Sequence, residues 1–146
     1  MNNSKIVVDS SVAIKWFISQ NYSFEANQIL ETYKTNKLSL IAPDLIYAEM
    51  GNIIWKIQRF QGLNQEDAEN ILNVFQKIPL QIISGNQLLQ DAYKFAIKYQ
   101  RSIYDSLYVV LSVRENCRFI SADEKLYNAI HQHIPNIKLL KDWKNS

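Results

Sequence analysis

One cysteine, two histidines, three glycines and three prolines occur in 146 residues, and each scarcity removes a class of protein. A lone Cys117 forms no internal disulfide and, with only two histidines to join it, builds none of the usual cysteine-rich zinc frameworks, so a reducing, cytoplasmic setting is expected. Gly51, Gly62 and Gly85 stand far apart. That leaves no phosphate-cradling glycine loop and no GxSxG elbow, and it disfavours most cofactor enzymes. No stretch approaches the roughly 18 apolar residues of a membrane span. The polar start, Met1 to Lys5, leads straight into a short apolar run without the longer hydrophobic segment of a signal peptide. The sequons at Asn2 and Asn21 then carry no expectation of glycan, and His131-Gln132-His133 reads as surface.

What is present is an ordinary globular balance, 47% hydrophobic and 21% charged, expected to fold as one domain over residues 1–146. A chain of this length buries roughly two thirds of its unfolded surface and needs no staple. Ile6-Val7-Val8 reads as a buried strand, followed after Asp9 by a helix carrying Val12, Ala13, Trp16 and Phe17. A helix from Ser23 and an extended piece from Leu38 to Pro43 repeat that order. Asp44 is expected to cap the next helix and Gly62 to end it, while Asn64 and Asp67 have capping-box spacing ahead of Ala68, Ile71, Leu72 and Phe75. Leu80–Ile83 reads as a strand, Leu88 to Ala96 as a helix, and Ile103 to Val113 as a helix apolar enough to be buried on most sides. Phe119-Ile120, a helix from Glu124 and the extended Ile137–Leu140 complete the chain. End-to-end alternation of strand and helix predicts an α/β fold, a mostly parallel sheet covered by helices on both faces.

Four of the fourteen carboxylates are not explained by a solvated helix face. Asp9 and Asp123 fall just past two β-rich runs, and in a parallel sheet such strand ends border the crevice where ligands bind. Glu49 and Asp105 interrupt apolar helix stretches, where burying a charge is costly. Three of the acids also have a structural reading, since Asp9 starts a turn, Ser102 with Asp105 fits a capping box, and Ser121 or Asp123 caps the helix that follows, whereas Glu49 gains nothing from a helix interior unless it faces water. If the four meet at one sheet edge, two carboxylates ~5 Å apart repel by roughly 3 kcal/mol at an effective dielectric of ~20. Such a group requires a cation or raised pKa values. Oxygen donors without His or Cys suit Mg²⁺ or Mn²⁺, which engage substrate phosphates, and the chemistry indicated is phosphodiester hydrolysis. The net charge of +2 becomes +6 once these four acids are set aside, a basic surround able to attract a polyanion.

The segments IVVDSSVAIKWF, APDLIYAEMGNIIW, YDSLYVVLS and FISADEKLYNA, in that order, resemble the PIN-domain ribonucleases of the VapC toxin type over nearly the whole chain. Asp9 matches the first-strand aspartate, Glu49 the acid of P-x-L-x-x-x-E-x-x-N, Asp105 the acid of the Y-D-S/A-x-Y helix, and Asp123 that of T/S-x-D. Ser11 matches a small polar support, Asn52 the asparagine after the helix acid, and Ser121 a position often held by threonine. The resemblance implies an α/β/α sandwich and metal-dependent endonucleolytic cleavage of RNA. It also implies a cognate antitoxin protein that blocks the acidic groove, and frequently a homodimer. On the acid set itself, Asp9 and Asp105 are expected as principal metal ligands, with Asp123 and Glu49 completing the shell directly or through water. Three rivals are a PIN-like module kept for interaction only, a haloacid-dehalogenase-type phosphotransferase and a phospho-accepting receiver. The phosphotransferase requires a second aspartate where Ser11 stands, and the receiver requires an acidic neighbour that Asp9 lacks.

Overall fold

The structure, a computed structural model, describes residues 5–144. Asn2 and the polar start ahead of Lys5 lie outside those residues. Strands β1 (Lys5–Val8), β2 (Ser39–Pro43), β3 (Gln81–Ile83), β4 (Arg118–Ser121) and β5 (Ile137–Leu139) form one sheet of order β3-β2-β1-β4-β5. Every pairing is parallel, so the sheet expected to be mostly parallel is wholly so. The β-branched run Ile6-Val7-Val8 is completely buried at its centre, as a strand covered on both faces must be.

Between the strands run α1 (Ser10–Ala13), α2 (Ser23–Lys34), α3 (Leu45–Gln61), α4 (Gln65–Lys77), α5 (Gly85–Tyr99), α6 (Ile103–Arg114) and α7 (Glu124–Ile130). The first differs from its expectation: the helix is a single turn, tightening at once into a 3₁₀ turn over Ile14–Trp16. The apolar α6 crosses the core beneath α5, and its Tyr108 stacks on Phe119 of β4 at 5.8 Å. Two buried serines cross that core satisfied, Ser106 Oγ donating to the Ser102 carbonyl at 2.6 Å and Ser112 Oγ to that of Val109 at 2.7 Å. On the opposite face of β4 lie α7 and the 3₁₀ turn Leu140–Asp142. The result is the expected three-layer α/β/α sandwich.

Helix ends follow the sequence with one exception. Gly62 closes α3 in the left-handed region at φ 82°, and Asn64 Oδ1 accepts from the Asp67 N–H at 2.8 Å while its amide donates back at 3.1 Å. Asp44 precedes α3, but its side chain makes no bond to that helix. It accepts instead from the Gly85 N–H at 3.1 Å, tying the start of α3 to the start of α5. Of the histidines expected at the surface, His133 is exposed, its ring tilted against Tyr99 at 5.5 Å, and His131 is half-buried and stacks on Tyr127 at 4.5 Å. Among the described residues no helix is long and apolar enough to cross a membrane.

Candidate active site

The chain builds β1, β2 and β3 outward on one side, then returns across β1 to lay β4 and β5 on the other. The reversal puts the switch point of the sheet at the carboxyl ends of β1 and β4, the position where open parallel sheets bind ligands. The residues that leave those strands are Asp9-Ser10-Ser11 and Ser121-Ala122-Asp123.

They are fastened to one another. Asp9, 8% exposed, caps α1: its Oδ1 accepts from the Ser11 N–H at 3.1 Å and from Ser11 Oγ at 2.5 Å. Its Oδ2 accepts from Ser121 Oγ, 112 positions further along the chain, at 2.6 Å. Ser11 Oγ accepts from the Ala122 N–H at 2.9 Å, and Ser121 Oγ from the Asp123 N–H at 3.1 Å. Both carboxylate oxygens of Asp9 are therefore held in place. Asp123 caps α7, its Oδ1 accepting from the Leu126 N–H at 3.0 Å.

The other two acids approach on helices. Glu49 stands on α3 with its Oε1 accepting from Tyr108 Oη at 2.5 Å and from Ser10 Oγ at 3.2 Å. Asp105 lies in the first turn of α6, where Ser102 Oγ accepts its backbone N–H at 3.0 Å. Asn52 is exposed, one turn beyond Glu49. Tyr108 and Ser10 were not legible as parts of this site: Tyr108 sits in the most apolar helix and patterns as core.

Burial and mutual repulsion set the electrostatics. Asp9 is pushed up to about 6 by burial, with the Glu49 charge adding to it, against the opposing bonds from Ser11 and Ser121. Glu49 is raised by burial and by Asp105, and Tyr108 and Ser10 restrain it. Asp105 is raised by burial and by Asp123, with Arg101 opposing. The tyrosine donor on Glu49 is pushed well above its ordinary range, by burial and by the acids beside it. Each acid thus acts on the next, a series running Asp9, Glu49, Asp105, Asp123. Among the described residues none of the four enters an ion pair. Lys15 feels the Asp9 charge, but burial lowers its own pKa.

Among the described residues no group of three or more Asp, Glu, His or Cys side chains stands close enough to hold a metal ion. The donor set is nonetheless all oxygen and under-compensated, and Asp9, Glu49 and Asp105 are raised in pKa. That fits a hydrated Mg²⁺ or Mn²⁺, which is held through one or two carboxylates and keeps several waters, better than an ion in a closed protein cage.

A parallel α/β/α sandwich with acids at its switch point defines a class that comparison makes specific. The PIN domain family model matches residues 6–131, and the chain belongs to that family. It is 27% identical over 124 residues to Ribonuclease VapC3 of Pyrobaculum aerophilum, covering 84% of this chain and 92% of that one. The crystal structure of Mycobacterium tuberculosis VapC20, described as a Sarcin-Ricin loop cleaving toxin, superposes with a TM-score of 0.63 at 11% identity over 86% of this chain and 95% of that one. Rickettsia felis VapBC2, solved bound to a DNA fragment from their promoter, superposes with a TM-score of 0.60 at 15% identity, over 92% and 96%.

Proposed function

We propose that this chain is a Mg²⁺- or Mn²⁺-dependent endoribonuclease, the toxin of a toxin–antitoxin pair, acting in the cytoplasm as a single nuclease domain, in a homodimer. The observation that carries the proposal is the series of carboxylates, none of them in an ion pair among the described residues, at the switch point of the sheet. The ribonuclease name of the Pyrobaculum relative supports RNA as substrate, and the likeness to the VapBC2 complex supports an antitoxin partner.

Asp9 and Asp105 are the principal ligands in this reading, with Asp123 and Glu49 completing the shell directly or through water. A bound divalent ion lowers the pKa of its water and offsets charge on the phosphate. Ser11 and Ser121 keep the Asp9 carboxylate from rotating away, so its orientation is set before substrate arrives. Glu49, raised in pKa and steadied by Tyr108 and Ser10, accepts the proton of the attacking water.

A second reading has an observation of its own: Asp9 and Asp123 already serve as helix caps, as in a catalytically silent interaction module. Cleavage of a structured RNA pool with Mg²⁺ or Mn²⁺, with chelator, and by Asp105→Asn separates the two. Asp105 meets its cap through its backbone N–H, which Asn retains. The nuclease reading expects metal-dependent cleavage that is lost in a folded variant. Equal cleavage by both proteins with chelator present removes Asp105 from the site. Absence of both cleavage and metal-induced stabilisation favours the silent module.

A further inference from the structure

A second polar site lies on β4, away from the acids. Arg118 opens that strand, whereas Asp123 lies two residues past its other end. Arg118 shares a sheet face with Ile120, and the register that sets Ile120 opposite Lys138 brings Lys138 to that face as well. With α7 and the C-terminal segment these residues enclose a cavity of about 310 Å³, bordered by Tyr127, Asp142, Trp143 and Lys144. Arg118 lies over the Trp143 ring, its guanidinium carbon 4.8 Å from the centroid. Among the described residues, Arg118 Nε and Trp143 Nε1 are the buried side-chain polar atoms left without a hydrogen-bond partner, and Trp143 is only 8% exposed. Two buried N–H donors without acceptors, both on side chains that border one cavity, are a costly coincidence that an acceptor entering it relieves once a small shift of Arg118 or Trp143 uncovers them.

We propose that this cavity binds a nucleotide unit through its phosphate. Three cations, Arg118, Lys138 and Lys144, face a single acid, Asp142, so the surplus charge favours an anion. A guanidinium fork matches phosphate oxygens, the indole N–H supplies a neutral donor, and Tyr127 and Trp143 offer ring surface to a base. The phosphate belongs either to a strand of RNA or to a free nucleotide. The site uses none of the four acids, and its test needs no cleavage.

The probe is the indole N–H resonance of Trp143, identified as the one that disappears in Trp143→Phe. Trp16 provides a fixed internal reference, because its indole donates to the Ala26 carbonyl at 2.9 Å. The full chain is titrated in chelator, at constant ionic strength, with inorganic phosphate, with uridine and adenosine 5′-monophosphates, and with a short RNA. The expected result is a saturable shift of the Trp143 signal with Trp16 unmoved, weakened roughly ten- to a hundredfold by Arg118→Gln. Response to the mononucleotides assigns the free nucleotide, and response to the RNA alone assigns the strand. No shift with any phosphate species, the same shift with chloride, or an undiminished response in Arg118→Gln overturns the proposal. If Arg118→Gln does not fold, the double variant Lys138→Gln with Lys144→Gln, both at exposed positions, decides: unchanged affinity overturns the site.

Discussion

Replacing Asp9 by Asn is expected to stabilise the metal-free protein at neutral and alkaline pH, and by progressively less in acid. Burial and the neighbouring Glu49 move this carboxyl from an ordinary 3.8 to about 6. Between those values the folded chain holds a proton that the unfolded chain has released. The contribution of Asp9 to stability is thus fully present below about pH 4 and is lost as the pH rises through 6. At about 1.4 kcal/mol per pH unit, ionised Asp9 costs the fold about 3 kcal/mol above pH 7. Asn keeps an oxygen for Ser11 to donate to and carries no charge, so it removes that cost. For a chain near 150 residues, where 1 kcal/mol moves Tm by about 2–4 °C, the variant should melt roughly 6–12 °C higher than the parent at pH 8 relative to their difference at pH 4. Thermal unfolding of both proteins in chelator, from pH 4 to 8, measures this. A constant offset reports only altered hydrogen bonding to Ser121, whereas growth of the gap with pH reports the buried charge. Adding Mg²⁺ at pH 8 should narrow the gap by stabilising the parent. A gap that is the same at pH 4 and pH 8 refutes the reasoning.

Tyr108→Phe removes the donor on Glu49, so the carboxyl rises further; the acid limb of the pH–rate profile should move to higher pH, lowering cleavage on that limb and changing little on the alkaline side of it. Ser121→Ala deletes the bond to Asp9 and the acceptor for the Asp123 N–H, and should cost about 1–3 kcal/mol in urea unfolding, more at pH 8 than at pH 4 because the ionised form of Asp9 loses the donor. Gly62→Ala meets open space but a left-handed backbone, so a loss of about 1 kcal/mol by the same assay is expected, without change in cleavage.

Most of the fold was legible because hydrophobic period and caps agree locally. Gly62, the Asn64–Asp67 pair and the buried Ile103–Val113 run each carry their own signal within a few residues. The interruptions of apolar stretches by Glu49 and Asp105 marked two acids for the same reason. What stayed hidden depends on pairs distant in sequence. Tyr108 looks like one more core aromatic until α3 brings Glu49 to its hydroxyl, 59 positions away. Asp44 has the local appearance of a cap, yet Gly85 lies within reach and takes its carboxylate. The unpartnered donors of Arg118 and Trp143 arise where the C-terminal segment returns to β4, which no local pattern announces.

The Ser121–Asp9 bond has a consequence for biosynthesis. It spans 112 positions, so a chain growing from its N-terminus holds Asp9 through Ser11 alone, its Oδ2 unfastened, until β4 has been made and has docked beside β1. Segments through α6 can fold earlier, during the seconds that translation takes at about 5–20 residues per second, but without that fastening. A chain that assembles on this schedule acquires its full set of four acids only near the end of its own synthesis, and premature termination before Ser121 yields a product lacking both the Ser121 bond to Asp9 and Asp123 itself.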